Sequence, residues 1–527
     1  MRWRSASTVR VLLALGICAL LLSSCQLRFG DGTPANTTPI PALAQDFPAV
    51  DPGFIYDQLD HMATSYLHRE SGYDTSLPPD QNGHDEFAAY WAQEMTSLLA
   101  GFGPTVTHDS FSVDGWVNRP AQTSAFNVEV TVPGVSHPEQ IVVIGCHYDG
   151  EAVSTQSAND DASGCAIELG VAKALADYWR AHALYPARTL KFVIFDAEEQ
   201  GVFGSFHYVN ATINGELGQV VAMINEEQSG IAYPLRFLGN SSDPVLPEYA
   251  SVSPLTNSQL YPDQTHLSAV QKNAVTQFES GVQQSLVPVF EQFRALGYSS
   301  LGYSGATLPI FDDTSHVVVQ PDKTGGSDQI PFTLAGLPCV TLVGNSTYYD
   351  NNPPPWSYPF DQPQDTLQMM NVFASGHTAK SEALQLSLAL PGMLTTWMLH
   401  QSAVLGEVPA DGKPIAAISD IGATQIGAPL SLDAHSAYLA GRIDSLSYAW
   451  EFGDGAKATG VAVTHTYSSA GAYTLTLSIN SSAGARTISV PLTVSGAPPR
   501  YDNPYAAFPQ DGKPPVNHSV SLPPLVP

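Results

Sequence analysis

Residues 191–201 read KFVIFDAEEQG: an apolar run, then Asp196 and the adjacent pair Glu198 and Glu199, closed by Gly201. The run has the length and content of a buried strand, and the acidic cluster marks its carboxyl end. Two neighbouring carboxylates repel unless a cation lies between them or one takes up a proton. On a solvated turn that repulsion costs little. The doublet therefore acquires meaning only from what the rest of the chain brings beside it.

Similar runs recur on both sides. AFNVEVTVPG (125–134), QIVVIGCHYDG (140–150), VVAMINEEQSG (220–230) and LPCVTLVG (337–344) read as strands. HDEFAAYWAQEMTSLLAGFG (84–103), DASGCAIELGVAKALADYWRAH (161–182), SAVQKNAVTQFESGVQQSLVPVFEQFRALG (268–297) and SEALQLSLALPGMLTTWMLH (381–400) read as helices. Near-continuous apolar strands alternating with helices predict an α/β domain over residues 54–402. Its mostly parallel sheet is flanked by helices. Residues 231–320 are loop-rich apart from the one long helix. Beyond residue 402 the pattern changes to short alternating strands, APLSLDAHS, LSYAWEF, AYTLTLSIN and TISVPLTVSG, separated by Gly, Ser and Asp turns. That predicts a small all-β sandwich over residues 414–496, followed by a Pro-rich tail at 497–527.

The chain has 527 residues, more than one ordinary core accommodates, which agrees with two domains. Its formal charge is −28 with lysine and arginine scarce, so a nucleic-acid partner is excluded. At the amino end, MRWRSASTVR supplies arginines, VLLALGICALLL is apolar but short for a membrane span, and LSSC follows. This is the layout of an export signal over 1–24. Leu22-Ser23-Ser24-Cys25 resembles the bacterial lipobox, which implies lipidation of Cys25, membrane attachment through that lipid, and an extracytoplasmic location. Residues 25–53 then read as a tether. Past Cys25 only Cys146, Cys165 and Cys339 remain. With no CxxC pair and no framework of spacings, they read as small buried side chains.

In an open parallel sheet, ligands gather beyond the carboxyl ends of the strands. One strand ends there in Cys146-His147-Tyr148-Asp149, another in Asp196-Ala197-Glu198-Glu199, and a third in Asn225-Glu226-Glu227. The loop Ser157-Ala158-Asn159-Asp160-Asp161-Ala162-Ser163-Gly164 lies between the first strand and its helix. One imidazole and several carboxylates converge on one edge, a crowding that desolvated like charges do not tolerate without cations. Divalent ions remove the conflict, and imidazole with carboxylates suits zinc or a harder ion.

HYD, ANDDASG and DAEEQG, in that order and each after a strand, resemble the family M28 metallopeptidases, co-catalytic zinc aminopeptidases and their relatives. The likeness covers roughly residues 55–400 and implies a zinc-dependent exopeptidase-like fold acting on peptide or protein substrates. It implies that His147 binds one metal with Asp149 orienting it, that Asp160 bridges two metals across a cis Asp160–Asp161 peptide, and that Glu199 binds the second. Glu198 is implied as the general base, and Glu227, where the family usually has aspartate, as a ligand of the first metal. Glu226 points to the opposite face if its strand is regular.

Two stretches depart from the family pattern. Phe360-Asp361-Gln362-Pro363-Gln364-Asp365-Thr366 stands where the family has H-T-x-x-D-T, so Asp361 takes the histidine position. Ser327-Asp328-Gln329-Ile330-Pro331-Phe332 resembles S-D-H-x-x-F, again without histidine. Asp160, Glu199, Glu227 and Asp361 balance two divalent cations. The exchange favours a harder or more weakly held ion at the second position. Two divalent ions, zinc first, are the expected cofactors. A one-metal enzyme of glutaminyl-cyclase or carboxypeptidase type, and a non-catalytic surface-binding lipoprotein with a degenerate site, are the competing readings.

Trp450-Glu451-Phe452-Gly453-Asp454-Gly455, His465-Thr466-Tyr467 and Gly471–Leu477 resemble a PKD domain. The resemblance implies a spacer or an element that contacts a surface or polymer. His207, His266, His316 and His377 fall outside the motifs and read as ordinary surface or core residues. The sequons at Asn210, Asn240, Asn345 and Asn480 carry no weight behind a bacterial export signal.

Overall fold

The computed structural model describes residues 46–71, 83–113, 123–231, 248–252, 268–297, 300–303, 306–309, 317–322, 327–344, 358–375, 378–418, 424–437 and 445–495. The export signal, Cys25, the tether to residue 45, the tail from 497, His266, His316, His377, Asn240 and Asn345 lie outside these residues. No helix among the described residues is long and apolar enough to cross a membrane.

Helix α1 (Pro52–Ser65) starts where the Asp51 side chain accepts the Gly53 and Phe54 N–H groups, with Pro52 in the first turn. Helix α2 (Gly83–Leu98) leads to β1 (Thr105–Val113), β2 (Thr123–Val132) and β3 (His137–His147). Then come α3 (Ser163–His182), the short β4 (Leu184–Pro186), β5 (Arg188–Phe195), a single turn α4 (Phe203–His207), β6 (Val220–Glu227) and β7 (Glu248–Val252). Helix α5 (Ala269–Ala295), the hairpin β8 (Ser300–Tyr303) and β9 (Ala306–Pro309), β10 (Val317–Pro321), α6 (Gln329–Leu334) and β11 (Cys339–Val343) follow. Helices α7 (Leu367–Ser375) and α8 (Glu382–His400) and strand β12 (Glu407–Pro409) complete the first body.

Eight of these strands form one sheet in the order β1-β2-β5-β3-β6-β11-β7-β10. The middle run β5-β3-β6-β11 is parallel throughout, as the apolar strands implied. The flanks make the sheet mixed: β1, β2 and β5 pair antiparallel, and β7 runs antiparallel to β11. Strand β1 (TVTHDSFSV) has the polar alternation of a half-covered edge, so it lacks the apolar signature that marks the buried strands.

Alternate side chains of β3 enter different cores. Val142 and Ile144 pack on the side of α1, α3 and α8, while Ile141 and Val143 pack with Tyr208, Phe332 and Leu337. Both faces are covered, so every polar group at the carboxyl edge is held in an environment built by buried side chains. Strand β12 pairs with β4, and Ile415 joins the main core, so packing of this body runs past residue 402.

The cysteines correct one expectation. Cys146, at the end of β3, and Cys165, in the first turn of α3, form a disulfide, and Cys339 is buried and free. The intervening loop returns the chain to the strand it has just left, a juxtaposition that a separation of 19 residues does not reveal.

The C-terminal body is a sandwich of a three-stranded and a five-stranded sheet, with strands between Ile415 and Ser495. Trp450, Leu432, Leu475, Leu477 and Tyr467 are buried between them. The Trp450 indole donates to the Gly460 carbonyl and the Tyr467 hydroxyl to the Phe452 carbonyl. Arg486 ties this body to the amino end of β3, donating to the carbonyls of Pro414 and Val135 and lying over the Tyr185 ring.

Candidate metal centre

His147 is the last residue of β3 and is fully buried. Its Nε2 lies 2.9 Å from Asp160 Oδ1 and 3.8 Å from Glu227 Oε2. Its Nδ1 lies 3.2 Å from the Asp149 carbonyl and 3.5 Å from Asp149 Oδ1. The Asp149 carboxylate also accepts the N–H groups of Glu198 (3.0 Å) and Glu199 (3.3 Å). One buried carboxylate thus ties the imidazole to the glutamate turn, which leaves β5 through Ala197 at a φ of +62°.

The turn 158–162 presents Asp160 to the pocket and Asp161 away from it, and the peptide between them is cis. Asp161 Oδ1 accepts from the Gly164 and Gln228 N–H groups. A Cβ on Gly164 would come within 2.6 Å of the Glu226 carbonyl, so this approach requires glycine. Asp365 anchors the same turn from outside, accepting from the N–H groups of Asn159 (2.8 Å) and Asp160 (3.1 Å) and from the Tyr358 hydroxyl (2.8 Å). Arg69 is buried beneath the loop and donates to the carbonyls of Tyr66, Tyr148, Gln156 and Ser157.

Two donor groups result. His147, Asp160 and Glu227 form one, and Asp160, Glu199 and Asp361 form the other, with the ligand atoms of each within 4.8 Å of one another. Asp160 belongs to both. Glu199 Oε1 also accepts from the Glu151 N–H at 3.0 Å, and Asp361 reaches the pocket from a backbone φ of +54°. Ser327 donates to Glu227 Oε2 at 2.5 Å and receives the Asn225 amide at 2.9 Å. Glu226, on the other face of β6, accepts from Thr395 of α8 at 2.6 Å and is no part of either group.

The electrostatics follow from this crowding. Burial, then the charge of Asp361, raises the Asp160 carboxyl well above the ordinary range. Burial, then Asp361 and Asp160, does the same for Glu199. Glu198 is raised by burial first and then by Glu227, Asp328 and Asp149, against the lowering influence of His147. Burial opposes a charge on His147, but Asp149, Asp160 and Glu227 outweigh it and push the imidazole well above 6.5. A pocket that drives its carboxylates to hold protons, and whose nearest buried guanidinium donates to carbonyls, has a donor set that fits divalent cations.

All seven pocket residues read from the sequence, His147, Asp149, Asp160, Glu198, Glu199, Glu227 and Asp361, lie at this one sheet edge. Arg69, Asp365, Ser327 and Gln228 were assigned no part. Asp365, Ser327 and Gln228 stand inside stretches quoted above, and that membership is the signal the sequence offers for them. Nothing in the sequence marks Arg69. Of the remaining histidines, His207 pairs with Asp109 on the far side of α4.

Residues 127–281 match the family model of Peptidase family M28, and residues 411–495 match that of the PKD domain. Over these two stretches the chain is similar to an M28 peptidase domain followed by a PKD domain. The first match includes His147, Asp160, Glu198, Glu199 and Glu227 and ends before Asp361. A "Probable zinc metalloprotease" of Pyricularia oryzae is 31% identical over 141 residues, 24% of this chain and 26% of that protein. Carboxypeptidase Q of Homo sapiens is 37% identical over 86 residues, 16% of this chain and 17% of that protein. A "Probable leucine aminopeptidase" of Arthroderma benhamiae is 26% identical over 201 residues, 37% of this chain and 52% of that protein. The chain therefore spans between a sixth and about half of the length of these relatives. BSAP, a zinc aminopeptidase from Bacillus subtilis, superimposes with a TM-score of 0.44 at 13% identity, covering 69% of this chain and 96% of that one.

Proposed function

We propose that this chain is an exported, lipid-anchored metallopeptidase, an aminopeptidase that hydrolyses peptide bonds at a two-metal centre. The observation that carries the reading is the sharing of Asp160 between two three-residue donor groups at one sheet edge. His147, Asp160 and Glu227 would hold the first ion, and Asp160, Glu199 and Asp361 the second. When bound, two divalent ions would supply Lewis acidity toward a scissile carbonyl and would lower the pKa of bound water. The rest falls to the protein. Asp149 fixes the imidazole ring and the glutamate turn together, so donors from β3 and β5 keep one spacing. Asp365 and Arg69 fix the Asp160 turn and the loop behind it. Glu198, whose environment already favours proton uptake, would take a proton from the attacking water and deliver it to the leaving amine.

Exopeptidase activity agrees with the relatives named as aminopeptidase and carboxypeptidase, and their divergent names make the end of the peptide attacked the first thing to measure. Zinc is the expected ion of the first group. Export and lipid attachment at Cys25 rest on the LSSC stretch, and the PKD domain would contact a surface or polymer outside the cell.

The test is metal analysis of the purified chain together with hydrolysis of aminoacyl-anilides. Two bound ions and turnover are expected. One ion with cyclisation of N-terminal glutamine would replace this reading with a cyclase, and neither metal nor turnover would leave only a binding protein. Glu198→Gln should keep both ions yet lose about 10²–10⁴-fold in kcat. Full turnover in that variant would refute the role of Glu198.

A further inference from the structure

Gln228 follows Glu227 directly and adopts a left-handed backbone with φ of +47°. Three anchors fix it there. Its N–H donates to Asp161 Oδ1 at 3.1 Å, its carbonyl accepts from Gly344, and its side-chain Nε2 donates to Asp160 Oδ2 at 3.0 Å. The residue is more than nine-tenths buried, and among the described residues its amide oxygen Oε1 has no hydrogen-bond partner. A residue other than glycine is held in a strained conformation, and one result is a primary amide aimed at the carboxylate both donor groups share.

The Asp160 oxygen that meets this amide is not the one that meets His147. Oδ1 lies against the imidazole and Oδ2 against Gln228. The amide thus meets the Asp160 oxygen that the imidazole does not, on the one carboxylate that belongs also to the group with Glu199 and Asp361. The two ends of a primary amide exchange places by half a turn about the last side-chain bond. That turn would leave the oxygen about 3 Å from Asp160 Oδ2. Adjacent oxygens around a six-coordinate ion with metal–oxygen distances of about 2.1 Å are likewise about 3 Å apart. The nitrogen end satisfies Asp160 by a hydrogen bond. With the ion present, the oxygen end has the right separation from Asp160 to share it.

We propose that Gln228 is a further ligand of the second ion, through its amide oxygen, and that this second position is an oxygen-only site for a hard divalent cation such as Mn²⁺ or Mg²⁺. The assignment rests on the two-metal reading and extends it to the identity of the second ion. Three carboxylates and an amide oxygen contain no nitrogen or sulfur, the donor set that suits Mg²⁺, Ca²⁺ and Mn²⁺. The first position keeps the imidazole of His147, which suits zinc. The amide adds a donor without adding charge, so the balance of four carboxylates against two divalent ions is unchanged.

The test uses the full chain, freed of metal, loaded with one equivalent of zinc and then titrated with Mn²⁺ at pH 8 by calorimetry and by the electron paramagnetic resonance of the ion. Two variants separate the possible roles. Gln228→Leu removes both ends of the amide and should weaken Mn²⁺ binding by about tenfold or more while zinc stays bound. Gln228→Glu keeps an oxygen in place but loses the donor to Asp160. A ligand role predicts Mn²⁺ binding as tight as in the parent or tighter, whereas a role confined to holding Asp160 predicts loss as large as in Gln228→Leu, which would overturn the assignment. Parent-like Mn²⁺ binding in Gln228→Leu would also overturn it and leave the two-metal reading standing. A parent chain that accepts no second ion would overturn both.

Discussion

Two carboxylates three residues apart in KFVIFDAEEQG meet opposite circumstances. Asp196 is fully buried, yet its Oδ1 lies 2.9 Å from His84 Nε2, its Oδ2 accepts the Phe126 N–H, and Asp85 holds the other face of the same imidazole at 2.8 Å. Burial opposes charge on His84, but Asp196 and then Asp85 outweigh it and lift the imidazole to about 9. Glu199 is only partly buried but faces Asp160 and Asp361, and those charges add to burial in raising it. The fold supplies its own cation to the first carboxylate. For the second it gathers more anions. A chain that can neutralise a buried aspartate with a histidine, and does so one helical turn's length of sequence away, has the means to neutralise the other cluster. The excess of negative charge at the sheet edge is therefore a property of the site, and it is the reason to place cations there.

The largest test of this contrast is Asp160→Ala. If the cluster is held together by ions, the variant should lose metal from both positions and lose turnover at least as severely as the ~10²–10⁴-fold expected for Glu198→Gln. In the presence of chelator the same variant should be more stable than the parent, because a carboxyl raised by burial and by Asp361 disfavours the folded state once it ionises. Metal analysis and thermal unfolding at pH 8 with and without chelator check both parts. A metal-free variant less stable than the metal-free parent would break the contrast, since Asp160 would then be a structural carboxylate like Asp196.

Next in size is His84→Gln. The folded imidazole titrates at about 9 against 6.5 in the unfolded chain, so the stability it contributes is fully present below 6.5. It fades as pH rises through 9. The linkage is worth up to ~3 kcal/mol. The variant should be destabilised by about that amount at pH 6 and by much less near pH 10, in denaturant titrations of the metal-loaded protein. An equal loss at both values would mean that His84 acts through packing against Tyr148, 4.5 Å away, and not through charge.

Much of this arrangement was legible in the sequence because the signals were local. Near-continuous apolar runs marked β3, β5 and β6, and each motif follows its strand end directly, so topology alone carried His147, Glu198 and Glu227 to one edge. Even the opposite facing of Glu226 and Glu227 follows from strand geometry. What was not legible depends on contacts between segments far apart in the chain. Arg69 supports the loop 148–157 from about eighty residues away, and His84 neutralises Asp196 across more than a hundred. Neither residue belongs to a pattern of its own. Strands β7 and β10, at one flank of the sheet, were missed for a related reason: five residues each, within loop-rich sequence, they become strands only by pairing with each other and, for β7, with β11.

The smallest effect expected concerns a pair at the other end of the sheet, where charge meets water. Arg486 Nη2 lies 2.7 Å from Asp411 Oδ1, and Asp411 is well exposed. Exposed pairs contribute about 0–1 kcal/mol, because water screens the attraction and ordering the side chains costs entropy. Asp411→Asn should therefore shift the unfolding midpoint by no more than a couple of degrees. Arg486→Ala also removes donors to the carbonyls of Pro414 and Val135 and the cover over Tyr185, so it should cost more and expose the segment between the two bodies to protease. If Asp411→Asn proved as damaging as Arg486→Ala, the junction would owe its strength to the ion pair. The contrast between this screened pair and the buried Asp196–His84 pair would then fail, because it holds that water weakens the first and not the second.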